Sequence, residues 1–313
     1  MSQNFRVLQE AADWFAVLHS GRVGEDERQA WQAWLAHPDH AHAWRKVERL
    51  SGQLQRLSSE PGGRAAAGVL RSRGGRRQAL KTLGVLCGGG ALAWLGGDRL
   101  TARGWFASQR SAVGEIRDLR LADGSQLWLN TDSAVDIAFD DAARTLSLYR
   151  GEILVDAPTE RRPLLLRSAE GVLRSERGAR FSLRQLDGET QLSLYAGDFL
   201  LRGAGQSAAT LLSAGRQWRF SSAGSIASGP LERARQAWAS GMLLADDMRL
   251  DAFLAELARY RHGYLGCDPR IAGLRVVGAF PLADTERVLD ALAGTLPVRV
   301  QRRLPWWVSL EPA

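Results

Sequence analysis

The sequence predicts a multidomain fold: a small all-α bundle, one transmembrane helix, an all-β domain (sandwich or solenoid), and a small C-terminal α/β module. Three observations predict it. Apolar residues recur at helical spacing as far as residue 57, an uncharged apolar run fills 82–97, and strict alternation begins near residue 113. A length of 313 residues allows two or three domains, and the 45% hydrophobic and 24% charged shares are those of a folded protein.

In the head, residues 1–57, Phe5, Leu8, Ala12 and Phe15 mark one helical row, and Val7, Ala11, Trp14 and Leu18 another. Ser20-Gly21 ends that helix. Glu25-Asp26-Glu27 opens a second one, where negative charge suits the free N–H groups. Trp31, Trp34 and Leu35 share one of its faces. His37-Pro38-Asp39 interrupts the pattern, and Trp44, Val47, Leu50, Leu54 and Leu57 stripe a third helix. Four tryptophans are many for so small a core: they fill it, or some stay outside for a partner.

Residues 58–78 read as a linker of Ser, Pro, Gly, Ala and Arg. Its cations gather toward the end at Arg64, Arg71, Arg73, Arg76 and Arg77, followed by Lys81. The apolar run comes next, and with extension back to Ala79 it predicts a membrane span over 79–97. Cations on its N-terminal side place the head in the cytoplasm and the remainder in the periplasm of a single-pass inner-membrane protein. The competing reading is a buried Gly-rich helix. Arg76, Arg77 and Lys81 also resemble a twin-arginine export signal set inside the chain.

After a juxtamembrane stretch, 98–112, residues 113–225 alternate. Apolar pairs run through Leu127 and Leu129, Ile153 and Val155, Phe181 and Leu183, and Leu192 and Leu194, with turn signals at Asp123-Gly124, Arg150-Gly151 and Asp187-Gly188. The last part, 240–313, mixes periods. Asp247 is a candidate cap for a helix striped by Leu250, Phe253, Leu254 and Leu257. A strand lies near Leu274 to Val277, a second helix starts at Asp284 or Thr285, and two closing strands flank Arg303-Leu304-Pro305.

A catalytic set is not legible. His37, His40 and His42 lack matching carboxylates or thiolates for a metal, and Gly203-Ala204-Gly205 has no following helix or ribose-binding acid. Cys87 and Cys267 form no framework. The net charge of +7 comes from scattered arginines, which argues against direct nucleic-acid binding. No enzyme activity, cofactor or metal is expected. A periplasmic envelope- or sugar-binding β protein, anchored by its head, is the alternative to a regulator.

Three patterns together resemble one family, the FecR-type regulators of iron uptake. The head carries Ala11-Ala12-Asp13-Trp14, Trp31-Gln32-Ala33-Trp34-Leu35 and Pro38-Asp39-His40-Ala41-His42-Ala43-Trp44. The β region carries Leu121-Ala122-Asp123-Gly124-Ser125, Leu127-Trp128-Leu129-Asn130, Ser133, Tyr149-Arg150-Gly151-Glu152, Arg162-Pro163-Leu164, Gly178-Ala179-Arg180-Phe181, Tyr195-Ala196-Gly197 and Ser213-Ala214-Gly215-Arg216. The C-terminal part is similar to the short module of secretins and TonB-dependent transducers. Ala179 and Leu165 depart from the usual Thr and Phe. The resemblance implies an anti-sigma factor whose head binds an extracytoplasmic-function sigma factor, with Trp14, Leu18, Trp31, Trp34 and Trp44 as candidate contacts. It further implies a periplasmic signal from the signalling domain of a TonB-dependent outer-membrane siderophore receptor, and release through periplasmic and intramembrane proteases. Strand edges carrying Val298, Val300, Trp306 and Trp307 are the expected receptor contacts.

Overall fold

The computed structural model describes residues 2–18, 24–59, 107–203, 208–304 and 306–313. The head is three helices: α1 (Ser2–Leu18), α2 (Glu25–Leu35) and α3 (Pro38–Ser59). Pro38 opens α3, where its missing N–H costs nothing. The Glu27 carboxylate accepts from the Gly24 N–H at 2.9 Å and so satisfies a free donor at the start of α2. Val7, Ala11, Ala12, Phe15, Ala43, Trp44 and Val47 form the head's core, closed at one end by Trp307 from the far end of the chain.

Fourteen short strands follow: β1 (Gln109–Arg110), β2 (Arg117–Arg120), β3 (Gln126–Leu129), β4 (Ala134–Phe139), β5 (Arg144–Arg150), β6 (Glu152–Ala157), β7 (Leu164–Arg167), β8 (Gly171–Ser175), β9 (Ala179–Gln185), β10 (Glu189–Ala196), β11 (Asp198–Gly203), β12 (Thr210–Ser213), β13 (Arg216–Ser221) and β14 (Ile226–Pro230). They form two seven-stranded sheets, ordered β1-β4-β5-β7-β8-β11-β12 and β14-β13-β10-β9-β6-β3-β2. Pairing is antiparallel except between β5 and β7. Successive strand pairs are dealt alternately to the two sheets. Alternation then does the packing: Leu127, Ile153, Phe181 and Leu192 from one sheet meet Leu146, Leu166, Leu173 and Phe199 from the other.

A 3-10 helix, Arg233–Ser240, leads into the C-terminal module. This contains β15 (Met242–Arg249), α4 (Leu250–Leu257), a second 3-10 turn (Ala258–Tyr260), β16 (Tyr264–Cys267), β17 (Arg275–Pro281), α5 (Thr285–Thr295), β18 (Val298–Leu304) and β19 (Trp307–Pro312). β15 pairs with β17, and β16-β19-β18 makes a second small sheet. The module's core includes Leu154, packed with Trp128, Tyr195 and Ile116. The module therefore sits on the outer face of the β6-containing sheet.

Several expectations need correction. Among the described residues no helix is long and apolar enough to cross a membrane. α3 has 22 residues but is amphipathic, with Arg45, Lys46, Glu48 and Arg49 exposed. The expected span over 79–97 lies outside the described residues, as do Arg76, Arg77 and Lys81. Its uncharged run falls short of the ~20 residues a span requires and includes Gly84, Gly88, Gly89, Gly90, Gly96 and Gly97, poor helix formers. The single-pass inner-membrane topology, the cytoplasmic and periplasmic placement of the ends, and the relay between them are unsupported. The fold is instead dominated by two mostly antiparallel sheets with short helices before them. Asp247 is no cap: its φ of 51° places it in an irregularity of β15, and α4 starts after Arg249 without a side-chain cap. Asp284, by contrast, caps α5, accepting from the Arg287 N–H at 3.0 Å.

Candidate functional site

Two places concentrate unusual chemistry: the tryptophan face of the head, and the junction between the sheet and the C-terminal module.

α2 carries Trp31, Trp34 and Leu35 on one face, yet none of its residues is buried. All three are half-exposed. The Trp31 ring lies 5.2 Å from that of Trp44, and its enclosed indole N–H has no hydrogen-bond partner. The Trp34 N–H donates to Glu10 at 2.9 Å while its ring stacks on His40 at 4.5 Å. Trp44 is buried, whereas Trp14 and Leu18 are half-buried at the edge of the same cluster. The five head residues singled out in the sequence thus come together, with Trp44 beneath and the other four reaching the surface.

The four C-terminal residues do not form one accessible edge. Val298 and Trp307 are enclosed, and Val300 is half-buried under the module's core. Trp306 packs edge-on against Phe15 of the head at 5.5 Å, and Trp307 stacks on Tyr264 at 4.1 Å. Arg303 is paired with Asp13 beside them.

The junction is built around Glu152, whose side chain is only 6% exposed. From the sandwich its carboxylate accepts from Asn130 Nδ2 at 3.0 Å and Ser182 Oγ at 3.1 Å. From the C-terminal side it accepts from Trp238 Nε1 at 3.2 Å and Arg259 Nη1 at 2.7 Å. Glu256 of the module does the reverse, taking Arg184 of β9 at 2.8 Å together with Arg235 and Arg259. Burial would raise the Glu256 carboxyl, but the Arg184 and Arg259 charges outweigh it and hold it at about 2. A cavity of about 440 Å³ opens beside these groups, lined by Arg233, Arg235, Trp238, Met242, Arg259 and Tyr260 among others. Of its charged walls, Glu152, Glu232, Arg235, Glu256 and Arg259 are paired with one another.

The junction accounts for residues that the sequence marks only as motif. Gly151 has φ +81°, and a Cβ there would stand 2.2 Å from Ser133 Oγ. It delivers Glu152 into place. Asn130 follows β3 and faces the module, its Oδ1 accepting from the Tyr260 hydroxyl at 2.7 Å. Asp123, in the turn before β3, pairs with the fully buried Arg144 at 2.9 Å. Sequence reasoning missed Trp238, Arg259 and Tyr260 as partners of these motifs. The available signal was two motif polar groups, Asn130 and Glu152, on strands whose other face is apolar.

Comparison with known proteins agrees with this architecture. Residues 108–199 match the family described as FecR protein, and residues 9–50 match a domain of unknown function, DUF4880. No protein of curated function matches the sequence. Two crystal structures from Parabacteroides distasonis, at 2.50 and 1.65 Å, described provisionally as an anti-sigma factor, share the fold. Each has a TM-score of 0.52, with 18% and 19% identity, covering 66% of this chain and 98% of that one. Among the described residues, no group of three or more His, Cys, Asp or Glu is placed to hold a metal ion.

Proposed function

We propose that the protein is a FecR-type regulator that binds a sigma factor through its helical head. One observation carries this reading: α2 presents two tryptophans and a leucine on one face, none of them buried. Aromatic side chains held half-open on a short helix are what an interface uses as anchors. Trp14, Leu18, Trp31 and Trp34 form the contact set, with Trp44 beneath it as support. The FecR match over residues 108–199 and the fold shared with proteins described as anti-sigma factors support the same assignment. An extracytoplasmic-function sigma factor serving iron uptake is the partner that the FecR resemblance points to.

The test is transcription in vitro with a purified extracytoplasmic-function sigma factor and core polymerase, titrated with the full-length chain. Stoichiometric inhibition or activation by the wild type, lost on W31A/W34A, supports the assignment. An output indifferent to the chain at tenfold excess of regulator would refute it.

A further inference from the structure

The turn at residues 130–133 is hydrogen-bonded in two directions. Toward the head side it holds the lead-in segment, residues 108–116, through which the chain enters the sandwich. Ser111 Oγ donates to the Asn130 carbonyl at 2.5 Å and accepts from the Ser133 N–H at 2.9 Å. The Ser111 N–H donates to the Ser133 carbonyl and the Asp132 N–H to the Ala112 carbonyl, each at 3.0 Å. The Gly114 N–H donates to Thr131 Oγ1 at 2.8 Å.

Toward the C-terminal module the same turn is held as firmly. Thr131 Oγ1 donates to the Arg259 carbonyl at 2.9 Å, and Asn130 Oδ1 accepts from the Tyr260 hydroxyl. Asn130 Nδ2 and Arg259 Nη1 converge on Glu152. One hydroxyl, that of Thr131, is therefore acceptor for the lead-in and donor to the module. Gly114 completes the contact: at φ +81°, a Cβ on it would stand 3.0 Å from the Tyr260 carbonyl.

We propose that this turn is a clasp that couples the seating of the C-terminal module to that of the lead-in segment. When the module lifts from the sheet, the lead-in loosens. Outside this turn the lead-in is held by Ile116, which packs against the module's core, and by its first residues at the edge of the sheet. β1 is two residues long, pairs only with β4, and leaves the sheet after Arg110. Its further anchor is Ser108, whose N–H reaches Asp136 at 2.7 Å. Ser108 Oγ also accepts from the Ile137 N–H at 3.3 Å, and Arg117 Nη1 donates to the Arg110 carbonyl at 2.5 Å. From Ser111 to Ile116, among the described residues, the hydrogen bonds to the sandwich run to residues 130–133. A shared hub of this kind gives a coupling free energy between two segments far apart in sequence, and such coupling is reciprocal. The device stands independently of what the head binds.

Hydrogen exchange on the full-length chain tests it. In R259M/Y260F, changed only on the module side, amide exchange at residues 109–116 should rise about tenfold or more, with β9 and β10 unchanged. Reciprocally, Gly114→Ala should raise exchange at residues 258–264. Unchanged lead-in exchange in R259M/Y260F, or an equal rise across β9 and β10, would overturn the clasp. Should R259M/Y260F fail to fold, Thr131→Val takes its place. It should loosen both segments together, and loosening of neither or of one alone would overturn the proposal.

Discussion

Gly151 and Glu152 illustrate how a two-residue signal fixes geometry at a distance. The glycine takes a backbone conformation that side chains rarely adopt, with Ser133 pressed against it, so the glutamate that follows enters the outer face of the sheet. Gly151→Ala therefore combines backbone strain with a clash, and should cost about 2–4 kcal/mol in urea unfolding. A wild-type midpoint would contradict the close approach. Glu152 itself is a buried acid with four donors, one of them charged. Glu152→Gln keeps the shape but leaves Arg259 with less negative charge to face, and a loss of about 3 kcal/mol is expected. The same variant with Arg259→Met should lose less than the sum of the singles, which a double-mutant cycle measures directly.

At the scale of elements, alternation was the most readable feature. Leu127 with Leu129, Ile153 with Val155 and Phe181 with Leu183 all point into the space between the sheets, as strict period two demands. The start of α5 at Asp284 or Thr285 was legible, and the structure makes Asp284 its cap, whereas Asp247, read as a cap from the same pattern, falls in a bulge of β15. Asp284→Ala should lower stability by about 1 kcal/mol, visible in the thermal unfolding of the full chain, whereas Glu at that position should restore little. β15 and β16 were not legible. Met242–Arg249 is mostly exposed and broken by a bulge at Asp246-Asp247, and Tyr264–Cys267 is four residues containing a glycine. Neither carries enough periodic signal to exceed its turn residues. The junction was hidden for another reason. The Trp238, Arg259 and Tyr260 side chains reach Glu152 or Asn130 across 86, 107 and 130 residues of sequence, and no local pattern encodes such pairs. The head face was visible from composition, and the structure orders it with Trp44 below and Trp14, Trp31 and Trp34 above.

At the scale of the molecule, the sandwich and the C-terminal module are joined by charge as well as by apolar contact, so their union depends on pH. The Glu256 carboxyl is lowered from its ordinary 4.5 to about 2 in the folded protein. A carboxyl lowered on folding contributes stability that is fully present above its unfolded value and is lost as pH falls toward its folded value. The window is therefore pH 4.5 to 2, and the contribution that disappears is about 3 kcal/mol. Urea midpoints measured across that window should fall, and the fall should be much shallower in Glu256→Gln. Equal slopes in the two proteins would show that Arg184, Arg235 and Arg259 do not hold this acid as described. Among the described residues, the head's ion pair to the C-terminal module is Asp13–Arg303, and its half-buried aromatic face is the proposed partner surface.

The most direct measurement is the dissociation constant of the full-length chain for a purified extracytoplasmic-function sigma factor, in wild type and in W31A and W34A. Wild type should bind tightly, and each variant should weaken binding by about thirtyfold or more, as expected of aromatic anchors, while the unfolding of the β sandwich stays unchanged. Equal affinity in all three proteins, or no measurable binding by the wild type, would contradict it.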